Sequence, residues 1–183
     1  MSGYPRHAVL VAAILHVVPA IGYGQTLTAV WDPNPEADAV SSYQVCVGTS
    51  SYSCNSSNAT IPASQTSYTF APGPGILYYV AVRALSASGD GPYSAEVTTS
   101  IPSLTQPANQ TSIVNNPITP FRFGAIDPDG SSLQYSHSGL PFGLTLDSSD
   151  GVITGTPTST GVFRVTLFVS DGLTTVSRSF DWT

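Results

Sequence analysis

Three carboxylates stand beside residues that bend the chain. Asp127 and Asp129 lie in Asp127-Pro128-Asp129-Gly130, and Asp171 in Asp171-Gly172. A hard cation such as calcium takes six to eight oxygen ligands, and three aspartates with backbone carbonyls and water meet that need. The same sequences are also ordinary turn chemistry, because Asp bonds to nearby backbone groups and Gly accepts positive φ. Both readings stay open. Cys46 and Cys54 lie eight residues apart, with Gly48 and a Ser/Thr-rich stretch between them. That spacing suits two neighbouring strands joined by a loop, and in an oxidising compartment the pair closes as a disulfide; free thiols are the alternative. No histidine or third cysteine accompanies them, which disfavours a metal centre.

Catalytic constellations are hard to assemble. His137 is the one histidine beyond residue 24, and Ser136-His137-Ser138 carries no motif. A serine hydrolase needs a nucleophile on a sharp turn, an ordered base and oxyanion donors; no such signature occurs. Asp147 and Asp150 have the residue types of a glycosidase pair, yet they flank Ser148-Ser149 in a hairpin-like turn, where solvated carboxylates are expected. Lysine is absent, which removes Schiff-base chemistry, and there is no Gly-rich phosphate loop. The chain is therefore expected not to be an enzyme. Aromatic rings offer a different chemistry, since they stack on sugar faces and a tyrosine hydroxyl adds a hydrogen bond. Strand phase turns Tyr79 outward, while Tyr52 and Tyr93 fall in loops. Tyr79 and Tyr93 are the candidate ligand-binding residues, against the simpler reading of isolated surface tyrosines.

The elements that position these residues are strands. The 183 residues include 16 Gly and 15 Pro among many Ser, Thr, Val, Tyr and Phe, a composition of short strands and frequent turns. Only 9% of the chain is charged and the net charge is −6, so the basic stripe that nucleic acid requires is missing and anionic membranes are disfavoured. Arg6, the apolar run Ala8 to Val18 and the small residues Ala20, Gly22 and Gly24 read as an export segment over residues 1–24, cleaved near Gln25. An uncleaved anchor is the alternative, and the only route to membrane association. Either way the folded part lies outside the cytoplasm, secreted or at the cell surface. Asn55-Ser56-Ser57, Asn58-Ala59-Thr60 and Asn109-Gln110-Thr111 are glycan sequons only if the source is eukaryotic.

From about residue 25 to 102, apolar residues recur with period two: Leu27, Ala29 and Trp31; Tyr43, Val45 and Val47; Tyr78, Val80, Val82 and Ala84. That phase turns Cys46 outward, so its bond to Cys54 is expected to clip the sheet surface. Trp31-Asp32-Pro33, Tyr43-Gln44-Val45, the Pro-Gly turn before Tyr78-Tyr79-Val80-Ala81-Val82-Arg83-Ala84, and Gly89-Asp90-Gly91-Pro92-Tyr93-Ser94 follow in an order that resembles a fibronectin type III domain. The resemblance implies that Tyr78 is a corner tyrosine, its hydroxyl bonded to backbone near the turn. The cysteine pair lies outside that family's usual pattern.

After Ile101-Pro102-Ser103 the pattern restarts. Phe121, Phe123 and Ala125 alternate through 120–126, and Phe163, Val165, Leu167 and Val169 share a face. Asp127-Pro128-Asp129-Gly130, Gly139-Leu140-Pro141-Phe142-Gly143-Leu144, Asp150-Gly151-Val152-Ile153-Thr154-Gly155-Thr156-Pro157, Asp171-Gly172 and Phe180-Asp181-Trp182 resemble the immunoglobulin-like family related to dystroglycan-type cadherin-like domains, over residues 103–183. The fold expected is all-β, two tandem immunoglobulin-like β-sandwich domains behind a signal peptide. In such a sandwich the loops carrying Asp127, Asp129 and Asp171 lie at one end. The cadherin-like resemblance implies that calcium held there sits near the junction with the first module. The expected function is that of an exported, bacterial, non-catalytic adhesion or binding protein contacting polysaccharide or a cell-surface protein. A rigid spacer, or part of a larger multidomain surface protein, is the alternative, left open by a chain that stops at Trp182-Thr183 within or just after its last strand.

Overall fold

Leu27, Ala29 and Trp31 alternate with Thr26, Thr28 and Val30, and a period of two makes a strand with one buried face. The computed structural model describes residues 13–18 and 25–183, and the chain divides into two compact units, Met1–Ser100 and Ile101–Thr183. In the first unit β1 (Ala13–Val18), β2 (Thr26–Trp31), β3 (Val40–Gly48), β4 (Ser57–Pro62), β5 (Ser67–Phe70), β6 (Tyr78–Ser86), β7 (Gly89–Asp90) and β8 (Val97–Thr99) form two sheets. One has the order β1-β2-β5; the other has β4-β3-β6-β7, with β8 also pairing β6. All pairs are antiparallel.

The core lies between these sheets. Ala29 and Trp31 meet Tyr43, Val45, Val47, Val80, Val82 and Ala84, with Tyr68 and Phe70 packed against them. Each fully buried valine contributes about 1.5–3 kcal/mol relative to exposure. Trp31 and Tyr43 pack edge to face with centroids 5.4 Å apart. The Tyr43 hydroxyl accepts the Asn34 N–H at 2.9 Å, which ties the β2–β3 connection to the sheet. The Tyr78 hydroxyl accepts the Gly73 N–H at 3.0 Å, the corner bond that the fibronectin resemblance implies.

Part of the expected export segment is a strand. Val17, Leu15 and Ala13 stand in register with the buried Leu27, Ala29 and Trp31, and Val18, His16 and Ile14 with the half-buried Thr26, Thr28 and Val30. Residues 1–12 and 19–24 lie outside the described residues, and with them the expected cleavage junction before Gln25. Among the described residues no helix is long and apolar enough to cross a membrane.

The second unit contains β9 (Ser103–Leu104), β10 (Phe121–Arg122), β11 (Ala125–Ile126), β12 (Gln134–Ser138), β13 (Leu144–Leu146), β14 (Val152–Gly155), β15 (Phe163–Ser170) and β16 (Thr175–Trp182). They pair as β10-β14-β13, β11-β9 and β12-β15-β16. Val165, Leu167 and Val169 are fully buried with Ile153, Phe180 and Trp182. The alternation through 120–126 does not make one strand. It breaks at Gly124, whose carbonyl accepts the Thr105 N–H at 2.9 Å, so that β10 joins one sheet and β11 another. The fold is all-β in both units.

Candidate functional site

On β3, Gln44 and Cys46 point away from the core, as the period of two requires. Their cross-strand partners are Thr60 and Arg83 for Gln44, and Asn58 and Ala81 for Cys46. The disulfide joins Cys46 to Cys54 with Cα atoms 4.8 Å apart. The surface clip expected from strand phase is corrected in one respect: Cys46 is only 3% exposed. The covering element is the loop after β3, which folds back over the sheet. Its backbone passes so close to Gly48 that a Cβ there would lie 1.4 Å from the Ser53 carbonyl oxygen. Glu96 fastens the loop by accepting the Tyr52 N–H and the Ser51 hydroxyl, and Thr49 N–H donates to Asn55 Oδ1 at 2.9 Å.

Tyr93 completes this cover. Its hydroxyl donates to Gln44 Oε1 at 3.1 Å and lies 3.9 Å from Cys54 Sγ. Arg83 sits over its ring, 5.0 Å from the centroid, while bonding Gln44 Oε1 and pairing with Asp90 at 3.2 Å. Stacking on a sugar uses one free ring face, and Arg83 already takes one face of Tyr93. Tyr79 is half-buried on the same outer face, opposite Gly48 and Thr98. Tyr52 is 60% exposed on the covering loop.

The three aspartates each close their own turn. Asp127 Oδ1 accepts the Asp129 N–H at 3.3 Å, and its carbonyl accepts the Gly130 N–H at 3.2 Å. Asp129 Oδ1 accepts the Ser131 N–H and hydroxyl at 3.1 and 2.7 Å. Asp171 accepts the N–H groups of Leu173 and Thr174 and the Thr174 hydroxyl. The structure does not assemble them as a ligand set: among the described residues no group of three or more His, Cys, Asp or Glu could hold a metal ion.

Asp147 and Asp150 serve a turn as well. Asp147 Oδ1 accepts the Ser149 hydroxyl at 2.7 Å and N–H at 2.8 Å, and these two bonds hold its carboxyl below the usual aspartate range. Asp150 pairs with Arg122 at 3.0 Å. His137 is exposed on β12.

Sequence reasoning missed the contour of the second unit. The segment 110–118 is strapped to the sheet by backbone bonds: Gln110 N–H to Asp181, Ser112 N–H to Thr183, Asn115 N–H to Pro157 and Ile118 N–H to Gly155 carbonyls. Large apolar side chains project beside it, Ile113 69%, Phe142 74% and Val162 73% exposed. No local signal marks them, because an exposed apolar residue in a turn has the same sequence as a buried one.

Residues 97–183 match the family model described as "Putative Ig domain". The match runs from β8 to the end of the chain and takes in the whole second unit. A serine-rich adhesin for platelets from Staphylococcus aureus is 37% identical over 75 residues, which is 41% of this chain and 3% of the adhesin. The chain thus spans about 3% of the length of that relative. Among solved structures, a putative alpha-galactosidase from Bacteroides fragilis is 28% identical, with 44% of this chain and 17% of that chain covered and a TM-score of 0.40. The chicken CNTN1 FN1-FN3 domains are 14% identical, with 96% and 67% covered and a TM-score of 0.41.

Proposed function

We propose that this chain is an exported, cell-surface adhesion or binding module that contacts a polysaccharide or a surface protein and performs no catalysis. The observation that carries the reading is the 37% identity over 75 residues to a protein named as an adhesin for platelets. The Ig domain supports it, because its exposed Phe142 and Val162 stand on a strapped, well-buried sandwich. Apolar anchors on a rigid frame lose little conformational entropy on binding and dominate interface energetics. The first unit is read as a fibronectin type III domain on the strength of Trp31, Tyr43 and the Tyr78–Gly73 corner; the second is read as cadherin-like. In this reading Asp127, Asp129 and Asp171 hold turns rather than calcium.

A rigid spacer is the second reading, favoured by the small share of the adhesin that the chain spans. Retention on a panel of insoluble polysaccharides and fixed cell surfaces, with and without calcium, separates the two. Saturable retention on any member supports adhesion. Passage through every member contradicts adhesion and leaves the spacer.

A further inference from the structure

Ser112 and Trp182 line two hollows in common. One hollow, of about 370 Å³, is lined by Gln110, Ile113, Asn116, Thr119, Phe121 and Trp182 among others. The other, of about 90 Å³, is lined by Ser112, Pro141, Pro157, Thr160, Phe163 and Trp182 among others. We propose that this pair of hollows is a binding track for an uncharged oligosaccharide, a site that deepens the adhesion reading and rests on it.

The argument begins with charge. No Asp, Glu, Arg, Lys or His lines either hollow, although the chain carries a net charge of −6. An anionic ligand would find no counter-charge, and desolvating it there would be costly. The lining is instead hydroxyl, amide, proline and aromatic, the mixture that matches a sugar's hydroxyl edges and its apolar C–H face.

Polar groups are available as well as present. Asn116 and Thr119 are exposed, and among the described residues their side chains engage no partner. Trp182 Nε1–H, by contrast, donates to Ser112 Oγ at 2.9 Å, and the ring is 2% exposed. Trp182 is therefore a wall that shapes the track, while Asn116 and Thr119 are the groups that reach a ligand. Each hollow has an exposed apolar side chain beside it: Ile113 lines the larger, and Phe142 follows Pro141 of the smaller. Two hollows that share Ser112 and Trp182 fit consecutive residues of a polymer better than a single sugar. The backbone straps on 110–118 fix this shape before binding, which removes an ordering cost.

The test is calorimetric titration of the full chain with soluble cello-, malto-, manno- and xylo-oligosaccharides, and with oligogalacturonate as the anionic control. At least one neutral oligosaccharide is expected to bind saturably and the anionic one not at all. Asn116→Ala and Thr119→Ala are each expected to weaken binding by about three- to tenfold, the loss of one neutral hydrogen bond, with unchanged melting temperature. His137→Ala, exposed on β12 and outside both hollows, is expected to leave it unchanged. The proposal is overturned if no neutral oligosaccharide binds, if oligogalacturonate binds tighter, or if both track variants bind as the parent does. Retention on a protein surface without any saccharide binding would keep the adhesion reading and discard this one.

Discussion

Trp182 and Ser112, 70 residues apart in sequence, are joined by an indole-to-hydroxyl hydrogen bond of 2.9 Å. The bond closes the parallel contact between the 110–112 segment and the end of β16, where Gln110 and Trp182 also bridge. Ser112→Ala leaves a buried indole N–H without an acceptor, which costs about 1–3 kcal/mol. Chemical denaturation of Ser112→Ala, Trp182→Phe and the double variant is expected to show a smaller loss in the double than the sum of the singles. Strict additivity would contradict the pairing.

The covering loop of the first unit makes a second prediction. Gly48→Ala places a Cβ against the Ser53 backbone, and overpacking of this kind costs about 1–3 kcal/mol. Reduction of the Cys46–Cys54 disulfide removes the constraint on a short loop, worth about 2–3 kcal/mol. The melting temperature of the parent protein is expected to be lower with reductant than without it. A Gly48→Ala variant as stable as the parent would show that the loop does not lie over Gly48.

Asp147 sets a pH dependence. The Ser149 hydroxyl and N–H lower its pKa in the folded state, so the turn they close is supported fully above the ordinary aspartate value of about 3.9. That support is lost as pH falls through the lower folded value. In an acid titration followed by NMR, the Ser149 amide is expected to shift with a midpoint below that of an unfolded aspartate, and Asp147→Asn is expected to abolish the transition. A midpoint at or above the ordinary value would contradict the two bonds.

The turn aspartates are expected to respond to mutation and not to calcium. Asp171→Ala removes the acceptor of two N–H groups and a hydroxyl and is expected to lower stability by about 1–2 kcal/mol. Millimolar calcium or a chelator is expected to leave the melting temperature of the parent unchanged. A calcium-dependent rise lost in Asp127→Ala, Asp129→Ala and Asp171→Ala together would restore the metal reading.

Much of the fold is legible in the sequence because it depends on period alone. The faces of β2, β6 and β15 follow from alternation, and their inward residues from Leu27 to Val169 are buried, except that Phe163 at the start of β15 is only partly so. The Tyr78 corner is what the fibronectin type III resemblance implies. What alternation does not carry is the identity of the element that covers a face. Cys46 has the outward phase expected of it, yet the loop beyond Gly48 and Tyr93, 49 residues from Gln44, close over it. The run from Phe121 to Ile126 has one period but two partners, and partner choice is non-local. Ala13–Val18 suits both an export segment and an edge strand, since both require a short apolar run. The track along Ser112 and Trp182 joins residues that no local window contains.

In the proposed function the second unit engages an extracellular polymer by binding, through the 110–119 segment and the end of β16. Amide chemical-shift mapping during titration with the neutral oligosaccharide panel tests it most directly. Saturable shifts are expected on residues 110–119 and at Trp182 and Thr183, with the first unit unmoved. Shifts centred on Tyr79 and Tyr93 instead, or none with any member of the panel, would contradict it.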